Sequence, residues 1–192
     1  MTNKIILASS SPRRIQMLRE IGLDPVIIPP DVDESVPAEV KPHMAVMYLA
    51  LKKALYVEKI AIEKEYSRDE ILIAADTIVV YDNCIIGKPL DSEEAFCTLK
   101  KLCGEKHVVL TGVAILKPGT TYRKVFYESS DVFFKVYSDE IIRKYAETEE
   151  PYDKAGGYAV QGTWGKYIDR IEGDVDNVIG FPWSRIQAEL PD

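Results

Sequence analysis

The run Ile5–Arg14 constrains the fold more than any other segment of the chain. Its first residues are apolar and predict a buried strand, and Ser11 followed by Pro12 predicts the start of a helix. A strand that passes directly into a helix is typical of an α/β sheet. Backbone N–H groups at a helix start attract anions, and Arg13 and Arg14 add donors that suit phosphate. An ordinary strand-to-helix turn with solvated arginines explains the same residues equally well.

Hydrophobic periodicity and turn residues extend this pattern along the 192-residue chain. The predicted strands cover residues 5–8, 26–28, 71–81, 84–86, 108–116, 122–137, 167–171 and 177–179. The predicted helices cover residues 12–22, 42–64, 92–104, 138–150 and 183–190. Residues 153–162 are rich in small side chains and predict a close-packed loop near a ligand. We therefore expect an α/β fold, a mixed twisted sheet with flanking helices.

Charge and composition narrow the range of partners. A formal net charge of −7 disfavours binding to nucleic acid or anionic membranes through a broad basic surface, so any anion site must be local. No apolar run is long enough to span a bilayer, and the predicted strand begins too early for a signal peptide, which favours a cytoplasmic location. The cysteines and histidines have neither a zinc-ligand spacing nor a hydrolase-triad pattern. Carboxylates, lysines or a metal remain as the source of any chemistry.

Asp76 is the strongest catalytic candidate. It interrupts an apolar strand, where a carboxylate is unfavourable unless it is paired, hydrogen-bonded or bound to a cation. Glu34, in an acidic loop between prolines, would join Asp76 around Mg²⁺, which proteins usually hold with one or two carboxylates plus substrate phosphates. The alternatives are a structural aspartate that caps a nearby loop through Thr77 and an acidic loop that is only a surface turn.

Three further polar side chains are candidates on position alone. Lys88 lies in a sharp Gly-x-Pro turn after the Asp76 strand and would neutralise phosphate charge. Lys53 lies in the middle of a predicted amphipathic helix. Gln161, beside a glycine, offers an amide donor and acceptor for a base edge. The competing interpretations are solvated lysines, which are common in turns and on helices, and an amide that stabilises its own loop.

Eight short motifs then occur in one order along the chain. They are Ala8-Ser-x-Ser-Pro-Arg-Arg14, Leu49-Ala-x-x-Lys-Ala54, Ala75-Asp-Thr77, Gly87-Lys-Pro89, Thr111-Gly-Val113, Glu150-Pro-x-Asp-Lys-Ala-Gly156, Tyr158-Ala-x-Gln-Gly162 and Asn177-Val-x-Gly180. This set resembles the Maf proteins, the septum-formation-associated nucleoside triphosphate pyrophosphatases. The resemblance covers essentially the whole chain and implies a single Maf-like domain over residues 1–192.

The resemblance implies two lobes around a central cleft, similar to inosine triphosphate pyrophosphatases, and cleavage between the α- and β-phosphates with a divalent cation, Mg²⁺ or Mn²⁺. Asp76 matches the family's proposed general base or metal-associated acid, and with Glu34 it is expected to contact the metal. The family's charged catalytic cluster matches Glu34, Lys53 and Lys88. Its phosphate-binding loop matches Ser9, Arg13 and Arg14.

Within the family, Arg13, Thr77 and Gln161 match the combination that marks the branch acting on dTTP and UTP rather than on 7-methyl-GTP. The expected partner is therefore a nucleoside triphosphate, with no nucleic acid and no membrane, and a homodimer is the default assembly. A rival interpretation is a non-catalytic nucleotide-binding regulator of septum formation. The complete charged cluster favours hydrolysis.

Overall fold

The computed structural model describes residues 4–37, 39–66 and 70–191. Its strands are β1 (Ile5–Ala8), β2 (Val26–Ile27), β3 (Ile71–Tyr81), β4 (Cys84–Ile86), β5 (Lys106–Leu116), β6 (Arg123–Phe134) and β7 (Ile168–Glu172). Its helices are α1 (Pro12–Glu20), α2 (Pro42–Glu63), α3 (Ser92–Leu102), α4 (Asp139–Ala146), α5 (Val175–Ile179) and α6 (Trp183–Ala188). Short 3-10 helices cover Ala155–Gly157 and Thr163–Tyr167.

The strands form one seven-stranded sheet in the order β2-β1-β3-β5-β6-β7, with β4 paired to β3. Strand β1 runs parallel to both β2 and β3, whereas β4 and β7 run antiparallel to β3 and β6. Asp82 and Asn83 both have positive φ and form the two-residue turn between β3 and β4. The predicted class, a mixed α/β sheet with flanking helices, is confirmed.

The chain divides into two compact units made of discontinuous segments. The first unit holds the described residues up to Asp76, together with Thr111–Glu128 and the residues from Gly180 onward. The second unit holds Thr77–Leu110 and Ser129–Ile179. The predicted single domain with a cleft between two lobes remains a prediction.

Small residues build the core of the first unit. Its buried members come from β1, α2, β3 and β5 and include Ala50, Ala54 and Ala61, which lie on one side of α2. Gly112 of β5 approaches the same helix so closely that an added Cβ would collide with the carbonyl of Val46. The alanines and this glycine therefore let α2 lie close to the strands beneath it.

Aromatic rings build the core of the second unit. Trp164 is fully buried and contacts the rings of Tyr137 and Tyr145 at centroid distances of 4.9 and 4.6 Å. His107 is 1% exposed, and its Nε2 forms a 2.6 Å hydrogen bond with the hydroxyl of Tyr158. Burial raises the pKa of each of these three tyrosines. Aromatic rings thus fill this core in tilted and edge-to-face contacts.

One predicted strand is wrong. Residues 177–179, expected to be extended, lie in helix α5. Asp174 accepts a 2.9 Å hydrogen bond from the backbone N–H of Asp176 and so begins this short helix. The buried side chain of Asn177 then donates to the carbonyl of Val109 and to Ser130 Oγ, at 3.1 and 2.9 Å. These long-range hydrogen bonds from the Asn177 amide outweigh the strand preference of the β-branched residues Val178 and Ile179.

The predicted end of one strand, the predicted end of one helix and one predicted loop need smaller corrections. Strand β6 ends at Phe134 rather than at residue 137, and helix α4 ends at Ala146 rather than near residue 150. The glycine-rich stretch, expected as a loop, contains the 3-10 turn Ala155–Gly157. In the described part of the chain, no helix combines the length and apolarity needed to cross a bilayer.

His107 predicts a specific pH dependence of stability. Burial lowers its pKa from 6.5 to about 4, so the folded protein keeps the imidazole neutral while the unfolded chain takes up a proton below about pH 6.5. The free energy of unfolding should therefore fall as the pH drops from about 6.5 to about 4, by up to about 1.4 kcal/mol per pH unit from this group.

Urea unfolding at several pH values, compared between wild type and His107→Gln, measures this contribution. The variant should show a shallower slope in that window, while His43→Gln, which changes the chain's other histidine, should keep the wild-type slope. Equal slopes for His107→Gln and wild type would contradict the assignment.

Candidate functional site

The centre of the candidate site is a lysine held between two carboxylates in the first unit. Lys53 Nζ lies 2.5 Å from Asp76 Oδ1 and 2.8 Å from Glu34 Oε1. Asp76 and Lys53 are 8% and 7% exposed, so both charges are removed from most of the solvent. The structure thus brings together three of the residues that the sequence predicted to act together, and Asp76 is paired as a buried carboxylate must be.

Strand register explains why Asp76 lies at this place. Ala8, the last residue of β1, pairs with Ala74 of the parallel strand β3. The chain leaves β1 at Ser9 and enters α1 directly beside the point where β3 reaches Asp76. The carboxyl end of β1 and the start of α1 therefore lie next to the carboxylate, the usual ligand side of a parallel pair.

The acidic loop is held in shape by its own side chains. Asp33 accepts hydrogen bonds from the backbone N–H and the hydroxyl of Ser35, at 2.9 and 2.5 Å, and these bonds lower the pKa of Asp33. Lys52 Nζ donates to the carbonyl of Asp33 at 2.5 Å. Glu34 stands in the middle of this turn and faces Lys53. Adjacent lysines of α2 thus bind the loop backbone and the loop carboxylate.

Arg14 is tied to backbone carbonyls beside the acidic pair. Its Nε donates to Gly180 O and its Nη1 to Ala75 O, both at 2.8 Å, and Nη1 also lies 3.4 Å from Ser9 Oγ. Ser9 Oγ accepts a 3.1 Å hydrogen bond from the N–H of Ser11. Arg14 therefore joins three segments of the first unit, including the residue that precedes Asp76.

The electrostatics of this cluster favour an anionic ligand. Burial lowers the pKa of Arg14, while the carboxylates of Asp76 and Glu34 act in the opposite direction and Arg13 adds to the lowering. Arg13, Arg14 and Lys53 supply three positive charges against the two carboxylates. These charges make the cluster locally cationic in a chain whose net charge is −7, as expected of an anion site in an acidic protein.

The donor set also fits a divalent cation. Among the described residues, no group of three or more histidine, cysteine, aspartate or glutamate side chains is arranged to hold a metal. Glu34 and Asp76 nevertheless lie close together, since both contact Lys53 Nζ, at 2.8 and 2.5 Å, and these two carboxylates would hold the cation. Mg²⁺ commonly takes one or two protein carboxylates and completes its shell with substrate phosphates and water. These two side chains match that requirement.

The remaining predicted residues belong to the second unit. Thr77 follows Asp76 in β3, and Lys88 is exposed in the turn between β4 and α3. The carbonyl of Gly87 accepts a 2.9 Å hydrogen bond from the N–H of Gly156, whose φ of 72° requires the left-handed region. The Lys88 turn is therefore fixed against the glycine-rich stretch.

Gln161 lies in the segment Tyr158–Trp164, here termed the Gln161 loop. Both ends of the loop are buried in the aromatic core, since Tyr158 is 6% exposed and Trp164 is fully buried. Gln161 is exposed between these anchors. Its amide is thus presented to solvent from a segment that is fixed at both ends.

Sequence reasoning missed the residues that support the site. Asp33 and Ser35 form an Asx turn, for which the spacing Asp-x-Ser was a readable signal. Lys52 had no signal beyond its place next to Lys53 in α2. The carbonyl contacts of Arg14 had no signal, because Gly180 lies 166 positions away in the chain.

Comparison with known proteins places the chain in a family. The family model described as Maf-like protein matches residues 4–192. A match over nearly the whole chain means that this chain belongs to the Maf-like protein family.

Relatives named dTTP/UTP pyrophosphatase are similar over nearly their full length. The protein of Caldicellulosiruptor saccharolyticus is 42% identical over 187 residues, which are 97% of this chain and 93% of that protein. The protein of a Geobacillus species is 43% identical, with 97% and 96% of the two chains covered, and that of Bacillus cereus is 42% identical, with 97% and 94% covered. Among solved structures, the Staphylococcus aureus Ham1 protein aligns over 97% of both chains at 16% identity with a TM-score of 0.49.

The bonds of Arg14 predict a large effect of a conservative substitution. In Arg14→Lys the charge remains, but one ammonium cannot reach the carbonyls of both Ala75 and Gly180. We expect the free energy of unfolding in urea to fall by about 1.5–3 kcal/mol, the usual contribution of a hydrogen bond from a charged donor.

Arg19→Lys is the matched control on the same helix. Arg19 is exposed and lies 3.9 Å from the exposed carboxylate of Asp24, so this change should stay within about 0.5 kcal/mol of wild type. Equal stability of Arg14→Lys and wild type would show that the carbonyl bonds do not hold the unit together.

Proposed function

We propose that this protein is a nucleoside triphosphate pyrophosphatase that hydrolyses the α–β phosphate bond of dTTP and UTP, releasing the nucleoside monophosphate and pyrophosphate. The Glu34–Lys53–Asp76 cluster, in which Lys53 and Asp76 are buried and Glu34 is exposed, carries the proposal for hydrolysis. It provides a carboxylate that can accept a hydrogen bond from water and a lysine whose positive charge attracts a polyphosphate. The relatives named dTTP/UTP pyrophosphatase, at 42–43% identity, support the choice of substrate.

The reaction requires water to attack a phosphorus atom of the α–β anhydride while the bond to the bridging oxygen breaks. Asp76 accepts a hydrogen bond from the attacking water and so orients its lone pair. Lys53 holds the Asp76 carboxylate in place through the 2.5 Å ion pair between Lys53 Nζ and Asp76 Oδ1. Arg13, at the start of α1 beside Ser9, binds phosphate oxygens and offsets the charge that develops on them.

Glu34 and Asp76 would hold the divalent cation, Mg²⁺ or Mn²⁺. When bound, that cation supplies Lewis-acid polarisation of phosphate oxygens and neutralises part of their charge. Lys88 adds a further cation for the phosphates, and Arg14 keeps the backbone at Ala75 fixed so that Asp76 stays aligned.

Gln161 and Thr77 read the pyrimidine base in this proposal. An amide offers both a donor and an acceptor, which matches the alternating donor and acceptor edge of thymine and uracil. We further propose a cytoplasmic enzyme that acts as a homodimer and does not bind nucleic acid, in keeping with the acidic net charge.

A substrate panel tests reaction and preference together. Purified protein is incubated with Mg²⁺ or Mn²⁺ and with dTTP, UTP, CTP, ITP or 7-methyl-GTP, and pyrophosphate is scored separately from orthophosphate. We expect pyrophosphate release led by dTTP and UTP. If the protein binds nucleotides but releases pyrophosphate from none of them, it is a nucleotide-binding regulator rather than an enzyme. If it releases orthophosphate instead of pyrophosphate, it cleaves a bond other than the α–β anhydride.

Asp76→Asn tests the role of the carboxylate. The change preserves shape but removes the charge, and turnover of dTTP should fall by about 10²–10⁴-fold, the usual range for loss of a positioned acid or base. Circular dichroism and a melting curve establish that the variant folds.

Glu58→Gln is the matched control within the same unit. Glu58 is also buried, at 7% exposure, and is paired with a guanidinium, that of Arg123, at 2.6 and 2.8 Å. Its loss should lower stability while turnover per folded molecule stays near wild type. Near-normal turnover of Asp76→Asn would exclude Asp76 from the chemistry.

A further inference from the structure

A carboxylate from outside the Gln161 loop binds the loop directly beside Gln161. Glu150 Oε1 accepts a 2.9 Å hydrogen bond from the N–H of Thr163, and Glu150 Oε2 accepts a 2.6 Å bond from the Thr163 hydroxyl. Both oxygens of one carboxylate thus bind one residue. This pair is here termed the Glu150–Thr163 clasp, and Thr163 lies two positions after Gln161.

The backbone around the clasp leaves no room for another side chain. A Cβ at Gly162 would collide with Glu150 Oε1, and a Cβ at Gly165 would collide with the carbonyl of Val160. Gly162 donates a 3.2 Å hydrogen bond to Ala159 O and accepts one of 3.1 Å from Gly165. The chain on each side of Gln161 is therefore held by tight turns as well as by the clasp.

The backbone of Glu150 is also held by its neighbours. Lys154 Nζ donates to the backbone carbonyl of Glu150 at 2.5 Å, and Pro151 restrains the next peptide. Tyr145 of α4, five positions before Glu150, packs on Trp164 at a centroid distance of 4.6 Å. The loop and its clasp thus belong to one packed body within the second unit.

The clasp contributes little to global stability, because Thr163 is exposed and Glu150 is only half-buried, so that water competes for both hydrogen bonds. The aromatic anchors at Tyr158 and Trp164 already attach the loop to the core. A two-oxygen contact at the exposed part of the loop has a different consequence: it fixes the direction in which the neighbouring peptide and side chain point.

We infer that Glu150 and Thr163 are positioning residues that determine base specificity, by holding the Gln161 amide in the orientation that matches a pyrimidine edge. The inference rests on the proposed function, in which Gln161 reads the base. A preorganised amide discriminates strongly because a mismatched base leaves its donor or acceptor unpaired, whereas a loop free to rotate adapts to other bases.

The test compares variants that break the clasp with variants that preserve it. Glu150→Ala removes both acceptors, and Thr163→Val removes the hydroxyl. In Glu150→Gln the amide oxygen still accepts from the Thr163 N–H, while the amide nitrogen donates to the hydroxyl, so both contacts persist without the charge. Thr163→Ser likewise keeps both contacts.

The readout is the ratio of kcat/KM for dTTP to kcat/KM for GTP, measured by pyrophosphate release. We expect this ratio to fall about tenfold in Glu150→Ala and by a smaller factor in Thr163→Val, mainly through KM for dTTP. Glu150→Gln and Thr163→Ser should keep the wild-type ratio. A merely structural role would lower the activity on both nucleotides together and leave the ratio unchanged.

The double variant Glu150→Ala/Gln161→Ala tests whether the clasp acts through Gln161. If the clasp acts through Gln161, the double variant should have the same ratio as Gln161→Ala alone. The inference is overturned if Glu150→Ala keeps the wild-type ratio. It is also overturned if the ratio falls in Glu150→Gln, because that result would mean that the charge of Glu150 acts directly. If Glu150→Ala fails to fold, as judged by circular dichroism, Thr163→Val against Thr163→Ser decides the question.

Failure of the proposed function has a different signature. It would appear as wild-type protein that releases no pyrophosphate from any nucleotide. Failure of the clasp alone would appear as a selective, active wild type whose selectivity survives in Glu150→Ala and Thr163→Val.

Discussion

A buried carboxylate in the middle of an apolar strand is the constraint on which the first unit depends. Asp76 is 8% exposed, and removing the partner of such a charge typically costs about 3–5 kcal/mol. Lys53 therefore has to reach it from α2, and the small residues of that helix allow the close approach. The same lysine also forms an ion pair with Glu34. The need to pair one buried charge therefore brings together strand β3, helix α2 and the acidic loop.

The second unit meets a different requirement, that of holding an exposed amide still. Its aromatic core anchors Tyr158 and Trp164, and the Glu150–Thr163 clasp restrains the chain between them. The two units thus differ in the groups that they present. The first unit holds buried charges, and the second holds a restrained loop with an exposed amide. In general, phosphate chemistry depends on charge, whereas discrimination between bases depends on the direction of hydrogen-bonding groups.

Most of the fold was predictable because its signals are local. The apolar runs of β1 and β3, the Asp82-Asn83 turn and the periodicity of α2 each specify an element within a few residues. The strand predicted for residues 177–179 was wrong for the opposite reason. Asn177 donates hydrogen bonds to Val109 and Ser130, which lie far away in the sequence. Those bonds stabilise a helix where the local composition favoured a strand. Site residues were predictable where a charge contradicted its surroundings, as Asp76 does.

The sequence by itself determined the sheet elements, the anomalous carboxylate and membership in the family, because periodicity, burial preference and motif order are properties of the linear chain. Only the tertiary structure decided which groups meet. It gave Arg14 the carbonyls of Ala75 and Gly180, and it set Glu150 on Thr163. A hydrogen bond between distant segments tolerates errors of only a few tenths of an ångström in the position of its partners. Packing alone sets those positions, and no local pattern encodes them.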